Sequence, residues 1–137
     1  MRRGWYIGLA FWLLGFMVPT TVQATPLLKC HFEVNAERSE QTFTPTMDPY
    51  TVGSVNLANR FRFKAIVLGN DTRVTSIHLY VSYQTERQPM LLQHAKFVAP
   101  LALQQPTPDA LTGRIAVYSP FLGKELQYGC ALHEVSP

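Results

Sequence analysis

Five residues, Arg60, Arg62, Lys64, His78 and Tyr80, carry the most distinctive chemistry in the sequence. Arg60, Arg62 and Lys64 recur at every second position, as do His78 and Tyr80. A period of two puts each set on one face of an extended strand. Guanidinium groups offer forked hydrogen bonds to carboxylate or phosphate, and a phenol adds a flat amphipathic contact. The group is therefore a candidate binding face for an acidic partner. The same pattern also suits a solvated sheet face whose cations guard an edge strand.

Other chemistries find less support. The four histidines, His31, His78, His94 and His133, show no His-x-His, His-x-x-Met or His-Glu-x-x-His spacing. A periplasmic copper carrier would depend on His31 and His133, which can approach each other only if the terminal strands are neighbours. There is no Gly-x-Ser-x-Gly elbow, no Gly-rich phosphate loop, and no evident acid/base pair of carboxylates on one strand. The expectation is a protein that is not an enzyme and uses no cofactor or metal. Asn70-Asp71-Thr72 matches the glycosylation acceptor triplet and reads equally well as a turn.

The elements that must position these residues read as β-strands. Leu27 to Val34 alternates, with Leu28, Cys30, Phe32 and Val34 on one face and Lys29, His31 and Glu33 on the other. Arg60 to Leu68 and Arg73 to Thr85 alternate in the same way, around a turn at Gly69-Asn70-Asp71. Met90 to Val98 is a further strand, and Ile115 to Ser119 with Lys124 to Val135 forms a hairpin around Pro120 to Gly123. Ala36 to Gly53 is polar and reads as a long loop with one short edge strand near Thr42 to Thr44. Pro106 to Gly113 also reads as a loop. Long ordered loops often carry binding, and Phe43, Met47, Tyr50 and Leu111 supply apolar contacts there. Six to seven strands predict an all-β fold, a small antiparallel β-sandwich of immunoglobulin-like kind or a small barrel.

Parity fixes part of the geometry. If Phe61 and Phe63 share the core with Ile77 and Leu79, a three-residue loop at 69–71 sets Phe63 opposite Ile77 and Phe61 opposite Leu79. Arg62 then faces His78, Arg60 faces Tyr80 and Lys64 faces Ser76 on the outer side. A loop of two residues would spoil both faces.

The chain's start reads as an address. Met1-Arg2-Arg3 is a short positive region, Trp5 to Val18 is apolar and uncharged, and Val22-Gln23-Ala24 precedes a cleavage point. The apolar run is short of the roughly 20 residues of a spanning helix. Residues 1–24 are thus expected to be a signal peptide and 25–137 a single β domain, periplasmic or secreted and not embedded in a membrane after cleavage. Lys29 in Leu27-Leu28-Lys29-Cys30 stands where a lipoprotein box needs a small residue. In an oxidising compartment Cys30 and Cys130 are expected to pair. Such a bridge encloses about 100 residues, which chain-entropy arguments value at about 4–5 kcal/mol.

The whole chain has 137 residues, 47% hydrophobic, with 12 Lys+Arg against 9 Asp+Glu. That length suits one domain. Two cysteines exclude a disulfide-dense scaffold and a four-cysteine zinc site. No basic run occurs, and Arg2 and Arg3 belong to the leader, so no nucleic-acid footprint is expected. The plan of a leader, a small β domain and cysteines near both ends resembles small periplasmic inhibitors of lysozyme-like enzymes and immunoglobulin-like secreted modules. The Ser-Gly loop of the inhibitor families is absent. The function expected is a binding module that contacts another envelope protein or an anionic polymer.

Overall fold

The structure, a computed structural model, describes residues 15–121 and 123–136. Most of the expected leader's apolar run lies outside the described residues. Residues 15–23 are exposed and carry no regular structure, and the first strand begins at Thr25. No helix among the described residues is long and apolar enough to cross a membrane.

Eight strands form two antiparallel four-stranded sheets packed as a sandwich. They are β1 (Thr25–Val34), β2 (Glu37–Phe43), β3 (Val55–Leu57), β4 (Phe61–Gly69), β5 (Val74–Tyr83), β6 (Met90–Val98), β7 (Ile115–Tyr118) and β8 (Glu125–Val135). Sheet A has the order β2-β1-β8-β7, and sheet B is the meander β3-β4-β5-β6. The chain therefore leaves sheet A after one hairpin, builds all of sheet B, and returns to close sheet A against its own first strand.

The polar stretch expected to be mostly loop contains β2 in full. The strand is hard to read because it lies at a sheet edge and only Phe43 is shielded at all. With no buried face, its sequence Glu-Arg-Ser-Glu-Gln-Thr has no reason to alternate. The three-residue β3 is likewise too short to show a period.

The core lies where the alternating faces meet. Leu28, Cys30, Phe32 and Val34 of β1 and Leu126, Tyr128, Cys130 and Leu132 of β8 face Phe61, Phe63, Val67, Ile77, Leu79 and Val81 of sheet B. Phe63 sits centrally, with ring centroids 4.7 Å from Phe32, 5.3 Å from Tyr128 and 5.8 Å from Phe43. Edge-on aromatic pairs of this kind contribute about 0.5–1.5 kcal/mol each beyond area burial. The Tyr128 hydroxyl donates to Gln93 Oε1 at 2.6 Å, tying β8 to β6 across the sandwich. Burial pushes that phenol's pKa up to about 12, so it stays a neutral donor.

The disulfide joins Cys30 and Cys130, which stand directly opposite in the β1–β8 ladder with Cα atoms 4.1 Å apart. The Cys130 backbone points away from β1: its N–H donates to Thr112 Oγ1 and its carbonyl accepts from Leu111 N. The pair is thus a non-hydrogen-bonded one, the kind whose side chains lie closest. The bridge lies within one sheet, whereas the immunoglobulin bridge crosses between sheets.

The β4–β5 hairpin keeps the expected parity at a different register. Phe63 faces Val81, Phe61 faces Tyr83 and Ala65 faces Leu79. The closing pair is Gly69 with Val74, which leaves residues 70–73 as the loop and a bulge at Leu68/Gly69. Asn70 explains the longer turn, since its Oδ1 accepts from Thr72 N, Thr72 Oγ1 and Arg73 N. Gly69 is needed where the loop folds back: a Cβ there would lie 2.2 Å from the Arg73 carbonyl oxygen. The slip of four residues is even, so every side chain keeps its face and only its partner changes.

Candidate functional site

The register redraws the predicted outer-face group. Lys64 faces Tyr80, His78 faces Ile66, and Arg62 faces Ser82. Arg60 precedes β4; its carbonyl accepts from Gln84 N, so it lies beyond Tyr80 by the length of the slip. The structure therefore brings Lys64, His78 and Tyr80 together. Arg62 lies two residues along β4, roughly 7 Å away, and Arg60 further still.

A groove of about 350 Å³ forms around the first three residues, lined by Pro49, Tyr50, Lys64, Ile66, Leu68, His78 and Tyr80. The outer positions of β4 and β5 supply one side, and residues 44–53 supply the other. Thr46 anchors that segment on the upper edge of β4: its N–H donates to Val67 O at 2.8 Å, and its carbonyl accepts from Gly69 N at 3.1 Å. Thr46 Oγ1 then accepts from Asp48 N, and Asp48 Oδ1 accepts from Tyr50 N, opening a 3-10 turn at Pro49–Thr51. These bonds set Pro49 over the sheet's outer surface and Tyr50 at the groove's rim. Ile66 is buried there although it belongs to the outward set, while Tyr50 remains almost fully exposed.

Beyond Tyr80 the site continues onto β6. His94 faces Tyr80 in the ladder, and their rings stack with centroids 4.5 Å apart. His78 Nδ1 lies 3.1 Å from His94 Nε2, with the two ring planes within 9° of parallel. One nitrogen of this pair donates and the other accepts. His78 is held below its usual pKa of 6.5, first by partial desolvation and then by the nearby His94 and Lys96. The two imidazoles form a mutually bonded pair beside the groove. Arg62 Nε is buried and has no hydrogen-bond partner among the described residues.

Charge separates the two sheets. The strands of sheet B hold Arg62, Lys64 and Lys96 and contain no Asp or Glu. Those of sheet A hold Glu33, Glu37, Glu40, Glu125 and Glu134 against Lys29 and Arg38. Among strand residues sheet B is therefore positive and sheet A negative, while Asp48 of the segment over sheet B and Arg114 beside sheet A carry the opposite sign.

The remaining histidines do not converge. His31 faces Gly129 and His133 faces Leu27, four residues apart along the outer side of sheet A. That separation is roughly 13 Å, far too wide for one metal ion to bridge. Among the described residues no group of three or more His, Cys, Asp or Glu is placed to hold a metal. The Asn70 side-chain oxygen, Oδ1, is committed to its turn.

Sequence reasoning missed His94, Ile66, Leu68 and Pro49 as site residues. His94 was legible by parity: it alternates with Lys96 along Met90–Val98, as His78 does with Tyr80. Pro49 carried no such signal, because a loop residue's position over a sheet follows from Thr46 docking on β4. Tyr50 stood out only as an exposed apolar contact. Neither a protein-family model, nor a curated protein, nor a solved structure matches the chain.

Proposed function

We propose that the protein is a non-enzymatic, exported binding module whose outer sheet B face contacts an anionic envelope component. The observation that carries this reading is the segregation of charge. Three strand-borne cations, Arg62, Lys64 and Lys96, share a sheet without a single carboxylate, beside an aromatic-walled groove. Such a surface attracts and orients an acidic partner, and its cations are not paired to any carboxylate among the described residues. Export is supported by the leader-like start of the sequence and by the Cys30–Cys130 bridge, which suits an oxidising compartment.

The test is retention of the purified protein by an immobilised acidic polymer such as poly-glutamate at low and moderate salt. Arg62→Glu combined with Lys64→Glu should weaken retention at least tenfold. Lys29→Glu, on the opposite sheet, should leave it unchanged. Equal retention of all three proteins would remove this face from consideration.

A further inference from the structure

We infer that the groove takes an acidic glycan, a polysaccharide carrying carboxylates on its sugar rings. The inference rests on the proposed binding face and narrows its ligand. Three observations lead to it.

The first concerns the backbone. β4 is paired to β5 on one side and to β3 and Thr46 on the other, while β5 is paired to β4 and β6. The N–H and C=O groups of β4 and β5 lie in the plane of the sheet, paired with one another and with β6, with β3 at Phe61–Phe63 and with Thr46 at Val67 and Gly69, so none points up into the groove. An extended peptide laid here would find no ladder to join, and its own backbone groups would lose water without replacement. The site recognises by side chains alone.

The second concerns the lining. Ile66 and Leu68 face the groove from β4, with Tyr80 and His78 on one side and Pro49 and Tyr50 on the other. A pyranose ring presents one flat C–H face and a rim of hydroxyls. An apolar, ring-walled slot with imidazole and phenol groups at its margin offers contacts for both parts. Phosphate or sulfate alone would use the cations and leave this apolar lining unfilled.

The third concerns spacing. Lys64 and Arg62 lie roughly 7 Å apart along β4, and Lys96 lies two strands away, roughly 12 Å from Lys64 by strand and sheet spacing. One small anion cannot span these positions. A chain with a carboxylate on successive sugar units can engage them together, adding effective concentration at each step.

The experiment is a calorimetric titration of the full-length purified protein with size-defined oligogalacturonate. The controls are the neutral cello-oligosaccharide of the same length and poly-glutamate of the same charge. The uronate should bind at least tenfold more tightly than either control. Tyr50→Ala and Tyr80→Ala should each lower uronate affinity by roughly five- to thirtyfold, the range expected for loss of an aromatic anchor worth about 1–2 kcal/mol. Both residues are at least partly exposed, and circular dichroism would verify that the variants fold. Poly-glutamate binding that matches the uronate, with no dependence on Tyr50, would overturn the glycan and leave the acidic-partner reading standing. Equal binding of the neutral oligosaccharide would also overturn it. Failure of both polyanions to bind would remove both readings together.

Discussion

The two outer faces of the sandwich are built from the same alternating strands and put to different use. On sheet A several charges are paired within the surface, although Glu37, Glu125 and Glu134 make no ion pair among the described residues. Glu33 lies 3.2 Å from Arg114 and 3.5 Å from Arg38, Lys29 lies 3.7 Å from Glu40, and Arg114 also bonds to Gln127. The crossing from β6 to β7 packs onto this sheet. Leu103 bonds to Leu132 and Glu134, Leu111 to Cys130, and Asp109 comes so near Gly129 that a Cβ there would lie 2.7 Å from its own. On sheet B the cations have no carboxylates among them, and the covering segment, residues 44–53, leaves an open groove. Charges paired within a surface contribute a little to folding. On the proposed function, the unpaired cations of sheet B are the ones a ligand would meet.

On the proposed function, the contrast predicts that substitutions on sheet A cost stability and substitutions on sheet B cost binding. The largest expected effect tests the clasp of sheet A. Replacing Cys30 and Cys130 together by Ser should lower unfolding free energy by about 4 kcal/mol, because a loop of about 100 residues regains its freedom in the unfolded chain. Urea denaturation reads this directly, and a loss below about 1 kcal/mol would mean that the β1–β8 ladder holds the terminal strands without the bridge.

Next comes the packing of the sheet A crossing. Gly129→Ala forces a methyl against Asp109 Cβ and the His31 ring, and should cost about 1–3 kcal/mol by overpacking. Lys96→Glu on sheet B should stay within about 0.5 kcal/mol, as exposed substitutions generally do. If the two proved equally disruptive, the division of labour between the faces would fall.

Smaller still is the Glu33 cluster. Glu33→Gln should cost less than about 1 kcal/mol, since both of its arginines are largely exposed, and the difference should shrink in high salt. A larger, salt-insensitive loss would show that this network does more than neutralise the face.

The subtlest comparison uses acid. His78 and His133 both have folded-state pKa values below 6.5. For His78 the causes are desolvation, then His94 and Lys96; for His133 they are desolvation and Lys29, with Glu40 acting the other way. The unfolded chain binds these protons more readily, so their effect vanishes above the unfolded value and stability falls as pH drops below about 6.5. His78→Gln and His133→Gln should each flatten that decline. An unchanged slope in His78→Gln would show that the imidazole pair does not sense folding.

Much of the fold was readable because alternation is local. The inward sets of β1, β4, β5 and β8 each follow from period two within a single strand. The failures have physical causes too. β2 is wet on both sides and β3 is three residues long, so neither carries a pattern. The β4–β5 register slipped by four because the Asn70-held turn closes three beyond the expected sum and the bulge at Leu68/Gly69 adds the fourth, an even total that the parity rule allows as readily as the one expected. Within the candidate site, Lys64, His78 and Tyr80 were visible as outward residues, but their grouping was not, since Arg60 and Arg62 belonged to the same pattern.

The sequence by itself therefore determined the all-β class, the side of each long strand that faces the core, and the two cysteines available to close the chain's ends. Each of these follows from residue type and nearest-neighbour geometry. Tertiary structure alone decided that β8 returns to lie beside β1, gathering five strand-borne carboxylates onto one sheet and none onto the other. It alone brought Thr46 onto the edge of β4, carrying Pro49 and Tyr50 over Ile66. These pairings join residues far apart in the chain, where many alternatives satisfy the same local rules, and only the packing of the whole selects among them.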